Sequence, residues 1–229
     1  MQILEQREPL RNTTSCNEKF EFEKAQSEKC ENPQSFPGVS QLLPSLYLCG
    51  ASVLSPTLIT TLGINFVINA SSELPDTPLP STTNTLYLRV SIPDRPSAEL
   101  SKHFDEVADM IEEVRLNGGK TLVHCVAGVS RSATLCLAYL MKYSEMSLRE
   151  AFFHVKSIRP QIRPNTGFFQ QLRCYEELRY GSQSVQMLFL ECLQREIPDV
   201  YESEFRPMEE FYRRQRKVNR CAHEKPLAT

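Results

Sequence analysis

The sequence predicts an α/β fold: a single domain with a central, mainly parallel, twisted sheet flanked by helices. Three observations carry this reading. Strand-like and helix-like segments alternate along the chain. Ile64-Asn65-Phe66-Val67-Ile68-Asn69-Ala70 is a nearly continuous β-branched apolar run, as expected of a strand buried on both faces. A second short apolar run, Thr121 to Val123, passes through a one-glycine loop directly into a helix, the local unit from which parallel sheets are built.

The expected domain spans 39–182, between an N-terminal arm over 1–38 and a partly ordered C-terminal extension over 183–229. The arm is polar and mixed in charge, with Phe20, Phe22 and Phe36 isolated, and reads as disordered. Leu46-Tyr47-Leu48 reads as a short strand stopped by Gly50. Ser55 to Leu62 is a short helix, with Pro56 suited to its first position and Gly63 ending it. The strand Ile64 to Ala70 follows, then a loop from Ser71 to Asn84 with Pro75, Pro78 and Pro80. Thr85 to Val90 is the next strand and Ile92 to Leu100 a loop. Ser101 to Leu116 is an amphipathic helix with Phe104, Val107, Ala108, Ile111 and Val114 on one face. Ala133 to Tyr143 is apolar nearly all round, which predicts a buried helix. Ser147-Leu148-Arg149-Glu150 is a capping box that opens a helix to Ile158, with Ala151, Phe152, Val155 and Ile158 inward. Asn165-Thr166-Gly167 leads a last helix to Tyr180, ended by Gly181. Arg213-Arg214-Gln215-Arg216-Lys217 in the extension reads as a solvated helix face or a nuclear address.

Composition narrows the class. With 229 residues and a net charge of −2, the chain makes no global case for binding nucleic acid or a membrane. It has no apolar run approaching the ~20 residues that span a bilayer. The opening Met1 to Glu8 lacks a signal-peptide core and carries acidic residues, so the expectation is cytoplasm and/or nucleus with reduced thiols. The eight cysteines are irregularly spaced and include no Cys-x-x-Cys pair, which argues against a disulfide framework or a structural zinc.

The chemistry concentrates in His124-Cys125-Val126-Ala127-Gly128-Val129-Ser130-Arg131-Ser132. A strand, a tight loop and a helix N-terminus form an anion site from backbone N–H groups. Here the site holds a cysteine at its start, and the positive helix end favours the thiolate, the nucleophilic form. Val126, Ala127, Gly128, Val129 and Ser130 are long enough to curl around a tetrahedral oxyanion, and the Arg131 fork matches two phosphate oxygens. Gly128 permits a backbone conformation that a side chain resists. Ser132 is placed to donate a hydrogen bond to the Cys125 sulfur. The bland alternative is a buried packing cysteine with an arginine and a serine nearby by chance. Cys136 and Cys174, inside helices, read as such packing residues, and Cys49 as the end of a strand near the sheet's edge.

This segment resembles the signature of the cysteine-dependent protein tyrosine phosphatases, and more narrowly the small atypical dual-specificity phosphatases. Arg163-Pro164-Asn165-Thr166-Gly167-Phe168 is similar to the segment that closes their domain. The resemblance implies the same fold. It also implies hydrolysis of phosphotyrosine and phosphoserine or phosphothreonine through a cysteinyl-phosphate, with Cys125 as nucleophile. It puts the general acid at Asp94, in the loop after the third strand; alone, Asp94 reads as a turn aspartate, and Glu99 is the reserve. No cofactor or metal is implied, because Arg131 and the backbone supply the charge. His124 is expected to hydrogen-bond near Cys125 without serving as the base. The loop has no lysine, unlike phosphoinositide phosphatases of the superfamily, and the chain has no Trp for the acid loop of classical tyrosine phosphatases. Phosphoproteins are the implied partners, with mitogen-activated protein kinases the family's usual first guess at a substrate. The oligomeric state is left open, and since some relatives associate with mitochondria, so is that compartment.

Two other readings compete. One is a catalytically weak phosphoprotein-binding module of the same fold, against which the intact set of Cys125, Arg131, Ser132 and Asp94 argues. The other is a sulfurtransferase, disfavoured by the Arg-Ser end of the loop.

Overall fold

A computed structural model describes residues 36–81 and 84–223, so the expected arm lies outside the described residues as far as Ser35. In order, the elements are β1 (Val39–Leu43), β2 (Leu46–Gly50), α1 (Pro56–Leu62), β3 (Phe66–Asn69), β4 (Leu86–Arg89), α2 (Phe104–Leu116), β5 (Thr121–Cys125) and α3 (Arg131–Tyr143). Then come α4 (Leu148–Ile158), α5 (Thr166–Tyr180), β6 (Met187–Leu190), β7 (Arg195–Pro198) and α6 (Glu202–His223).

The main sheet has the order β1-β2-β5-β3-β4. β2, β5, β3 and β4 run parallel, and β1 closes one edge antiparallel to β2. Every residue of β2, β3 and β5 is buried, because helices cover both faces. α2, α3, α4 and α5 pack on one face around the larger core. On the other, Ile59 of α1 packs with Tyr47, Cys49, Ile64, Val67 and Leu122. α3 is buried almost throughout, as its all-apolar sequence predicts.

β1 is a strand that sequence analysis did not find. Val39-Ser40-Gln41-Leu42-Leu43 sits at an edge with most residues half-buried, so it lacks the apolar run of the inner strands. Its presence corrects the placement of Cys49, which is not near an edge: β2 lies between β1 and β5. The helix expected from Ser101 begins as a 3-10 turn at Leu100–His103 and becomes α-helical at Phe104. Two side chains also face the other way from the sequence reading. Ile158 is 37% exposed, because the inward stripe Leu148, Ala151, Phe152, Val155 continues with a step of four to Arg159. Cys174 is exposed on α5, flanked by buried Arg173 and Tyr175.

The core continues beyond the last expected helix. Val185, Leu190, Ile197, Val200 and Tyr201 join it. The Tyr201 ring meets Phe152 and Phe169 at centroid distances of 5.5 and 5.4 Å. In α6 the basic run is largely neutralised, Arg213 by Glu209, Arg214 by Glu210 and Arg216 by Glu191. Among the described residues no helix is long and apolar enough to cross a membrane.

Because the parallel strands share a direction, their carboxyl ends line one edge of the sheet. The loops after β2, β3, β4 and β5 therefore meet there, where ligands of open α/β sheets bind.

Candidate active site

Cys125 ends β5 and Arg131 opens α3. The loop between them is shaped from outside, through its carbonyls. Val126 O accepts from Ala51 N at 2.9 Å and Val129 O from Arg163 N at 2.8 Å. Arg159 donates to Gly128 O at 2.7 Å through Nε and to Ala127 O at 3.1 Å through its guanidinium. Ser130 O accepts from Thr134 N and Oγ1, both at 2.9 Å. Five successive carbonyls thus point away from the site. On the inner side Gly128 N–H donates to the Cys125 sulfur at 3.3 Å. Gly128 has φ +65°, and a Cβ there would lie 2.4 Å from the Cys49 carbonyl oxygen, so glycine is required twice over.

Cys125 is 2% exposed, and its sulfur also accepts from Ser132 Oγ at 3.1 Å. A sulfur holding two donors is a better leaving group for the second half of a displacement reaction. The other buried thiols differ. Burial pushes the Cys49 thiol up to about 12 and Cys136 higher still, so neither offers a nucleophile. The register pairs Cys49 with His124, and Cys49 packs in the core on the opposite sheet face from Cys125.

Arg131 is 3% exposed and held by Glu73, which sequence analysis did not single out. Its two terminal nitrogens reach the two Glu73 oxygens at 2.7 and 2.6 Å. One of them also donates to Ile92 O, in the acid loop, at 3.1 Å. The Arg131 hydrogen bond holds the Glu73 carboxyl at about 2, below its ordinary 4.5. Arg131 Nε is left as a buried donor without a hydrogen-bond partner, 3.6 Å from Asp94 Oδ2. Asp94 Oδ1 accepts from Ser130 Oγ and Asn165 Nδ2, each at 2.8 Å. Asp94 thus sits against the loop, whereas Glu99 pairs with Lys102 at the surface. His124 shares a 2.7 Å hydrogen bond between Nε2 and Thr77 Oγ1. Burial pushes it down to about 4, so it is neutral.

The structure therefore brings Cys125, Ser132, Arg131, Asp94 and the backbone of Val126, Ala127, Gly128, Val129 and Ser130 together. It adds Glu73, Asn165, Arg159 and Thr77 around them. The one strong signal for Glu73 was its position just past β3, at the carboxyl edge of a parallel sheet. Among the described residues no three His, Cys, Asp or Glu side chains gather as a metal site.

A buried cysteine at a strand end, an amide-lined loop, an arginine with a free donor and a facing carboxyl define a cysteine-dependent phosphatase. The comparisons agree. The chain matches the family model "Dual specificity phosphatase, catalytic domain" over residues 46–178. It is 45% identical over 175 residues to mouse dual specificity protein phosphatase 18, covering 76% of this chain and 90% of that one. It is 46% identical over 176 residues to mouse dual specificity protein phosphatase 14, covering 76% and 86%. The crystal structure of human DUSP28 superposes with a TM-score of 0.59 at 35% identity, covering 63% of this chain and 97% of that one. The chain belongs to the dual-specificity phosphatase family, and by that membership is a protein phosphatase working through a cysteinyl-phosphate.

Proposed function

We propose that Cys125 is the nucleophile, Arg131 and the loop amides the phosphate clamp, Asp94 the acid and base, and Ser132 the support for the departing sulfur. The convergence of Asp94 and Arg131 on one loop, with Arg131 Nε 3.6 Å from Asp94 and making no hydrogen bond among the described residues, carries this reading. The Cys125 thiolate attacks phosphorus, and the bond from phosphorus to the leaving oxygen breaks. That oxygen keeps the electron pair and takes the proton of Asp94. Water then attacks the cysteinyl-phosphate and gives a proton to Asp94, and the S–P bond breaks to return the thiolate, which Ser132 receives with a hydrogen bond. The developing charge on the equatorial oxygens falls on Arg131 and the amides.

The substrates are phosphoproteins, and the site suits a shallow reading of phosphotyrosine, phosphoserine and phosphothreonine alike. Val126 forms a rim that is 41% exposed, and the loop adds no cation beyond Arg131. Mitogen-activated protein kinases are one candidate class, tested by dephosphorylation of a doubly phosphorylated activation-loop peptide. We place the protein in cytoplasm and/or nucleus, consistent with free thiols at Cys49, Cys125 and Cys136, and testable by fractionation.

The direct test is hydrolysis of an aryl phosphate in the presence of a chelator. Cys125→Ser should abolish turnover and Asp94→Ala should lower it about a hundredfold or more. A folded wild type that binds vanadate without turning over would instead support the phosphoprotein-binding module.

A further inference from the structure

Asn165 caps α5: its Oδ1 accepts from Phe168 N–H at 2.9 Å. A cap requires only that acceptor, and Ser or Asp serves about as well as Asn. The other end of this side chain does something else. Nδ2 donates to Asp94 Oδ1 at 2.8 Å, and the Asn165 N–H donates to Ser130 Oγ at 3.2 Å. Ser130 Oγ in turn donates to the same Asp94 oxygen at 2.8 Å. One carboxyl oxygen is therefore pinned by two donors, one from the phosphate loop and one from the helix cap. The cap touches the acid loop again at Gly167, where a Cβ would lie 1.9 Å from the Pro96 carbonyl oxygen.

The segment carrying Asn165 is itself clamped. Arg163 N–H donates to Val129 O at 2.8 Å, and Tyr201 Oη donates to Pro164 O at 2.9 Å. The Arg163 guanidinium lies over the rings of Tyr201 and Phe205, at 5.6 and 4.7 Å. Tyr201 and Phe205 belong to the C-terminal extension, beyond the residues matched by the family model.

We propose that Asn165 is a positioning residue for the general acid, held in place from the extension through Tyr201. This rests on the assignment of Asp94 as the acid. With Oδ1 occupied by two donors, Oδ2, the oxygen 3.6 Å from Arg131 Nε, is the one left to carry the proton in the acid step. The terminal torsion of an aspartate is broad, so without the amide the carboxyl swings. A misplacement of about 1 Å costs about a hundredfold in rate. The loss in kcat/KM, which reports formation of the cysteinyl-phosphate, is confined to substrates whose leaving oxygen needs a proton.

The test compares phenyl phosphate, a poor leaving group, with a fluorinated umbelliferyl phosphate, a good one. Asn165→Ser keeps the cap and removes the donor; Asn165→Asp keeps the cap and the shape and puts an acceptor where the donor was. Both should lose about tenfold in kcat/KM on phenyl phosphate and no more than about twofold in kcat/KM on the good leaving group. In an Asp94→Ala background, Asn165→Ser should change neither rate by more than about twofold, since the residue it positions is gone. Equal losses on both substrates, no loss on phenyl phosphate, or a further loss in the Asp94→Ala background would overturn the proposal. If Asp94→Ala is itself blind to the leaving group, the acid assignment falls and the proposal with it. If Asp94→Ala discriminates and the Asn165 variants do not, the positioning role alone falls. Should Asn165→Ser fold poorly, Asn165→Asp decides.

Discussion

Glu73 grips Arg131 by both terminal nitrogens, at 2.6 and 2.7 Å, and leaves Nε without a hydrogen bond among the described residues, 3.6 Å from Asp94 Oδ2. The carboxylate does not compete for the whole fork. It takes one side and orients the other toward the loop, so an arginine with about 2 kcal/mol of rotamer entropy is fixed before a phosphate arrives.

Replacing Glu73 by Ala should lower kcat/KM by roughly ten- to a hundredfold, the scale of a lost charged hydrogen bond. The loss should be equal for good and poor leaving groups, since clamping rather than protonation is affected. Vanadate inhibition should weaken in parallel; an unchanged vanadate affinity contradicts the role. The pair also has a pH signature. The Glu73 carboxyl is held below its ordinary 4.5, at about 2. Its contribution to stability is present above pH 4.5 and is lost as pH falls toward 2. The melting-temperature gap between wild type and Glu73→Gln should close across that window.

His124 gives a slope of the same sign in a higher pH window. Burial pushes it from 6.5 to about 4. Above pH 6.5 it is neutral in folded and unfolded chains and contributes nothing to pH dependence. Between 6.5 and 4 the unfolded chain takes up a proton that the folded one refuses, so stability falls as pH falls. The full effect is on the order of 3 kcal/mol. Denaturant titrations of His124→Gln should lack that slope; an identical slope contradicts the assignment.

Gly128→Ala should collapse the loop. The new Cβ would lie 2.4 Å from a backbone oxygen of Cys49 and 2.7 Å from the Arg159 guanidinium, at a φ of +65°. Strain and overpacking together amount to about 2–4 kcal/mol. Urea denaturation should show that loss together with lost turnover, and wild-type stability would contradict the geometry.

How far the sequence revealed the site depends on chain distance. Cys125, Gly128, Arg131 and Ser132 lie on one strand, one loop and one helix, so local periodicity and one glycine place them. The inner strands announce themselves by apolar runs, whereas β1, half-buried at an edge, does not. Asp94 lies 36 residues from its partner Ser130 and needed the family resemblance. Glu73 is 58 residues from Arg131, and a lone Glu in a proline-containing loop carries no periodic signal. Asn165 was legible as a helix cap, but not its second bond, to a residue 71 positions away. Arg159 was readable in principle: it stands one step past α4 on the stripe that runs through Val155, facing inward where Ile158 was expected to, and its donors satisfy loop carbonyls.

In the proposed mechanism phosphate passes through the Cys125 sulfur. The most direct measurement is acid quenching of Asp94→Ala during turnover of a phosphate ester with a good leaving group, followed by peptide mass spectrometry. The first step then needs no acid while the second lacks its base, so the intermediate should accumulate. One phosphoryl group is expected on the peptide that carries Cys125, and none in Cys125→Ser. Turnover with no adduct, or a phosphoryl group on another residue while Cys125→Ser remains active, would contradict it.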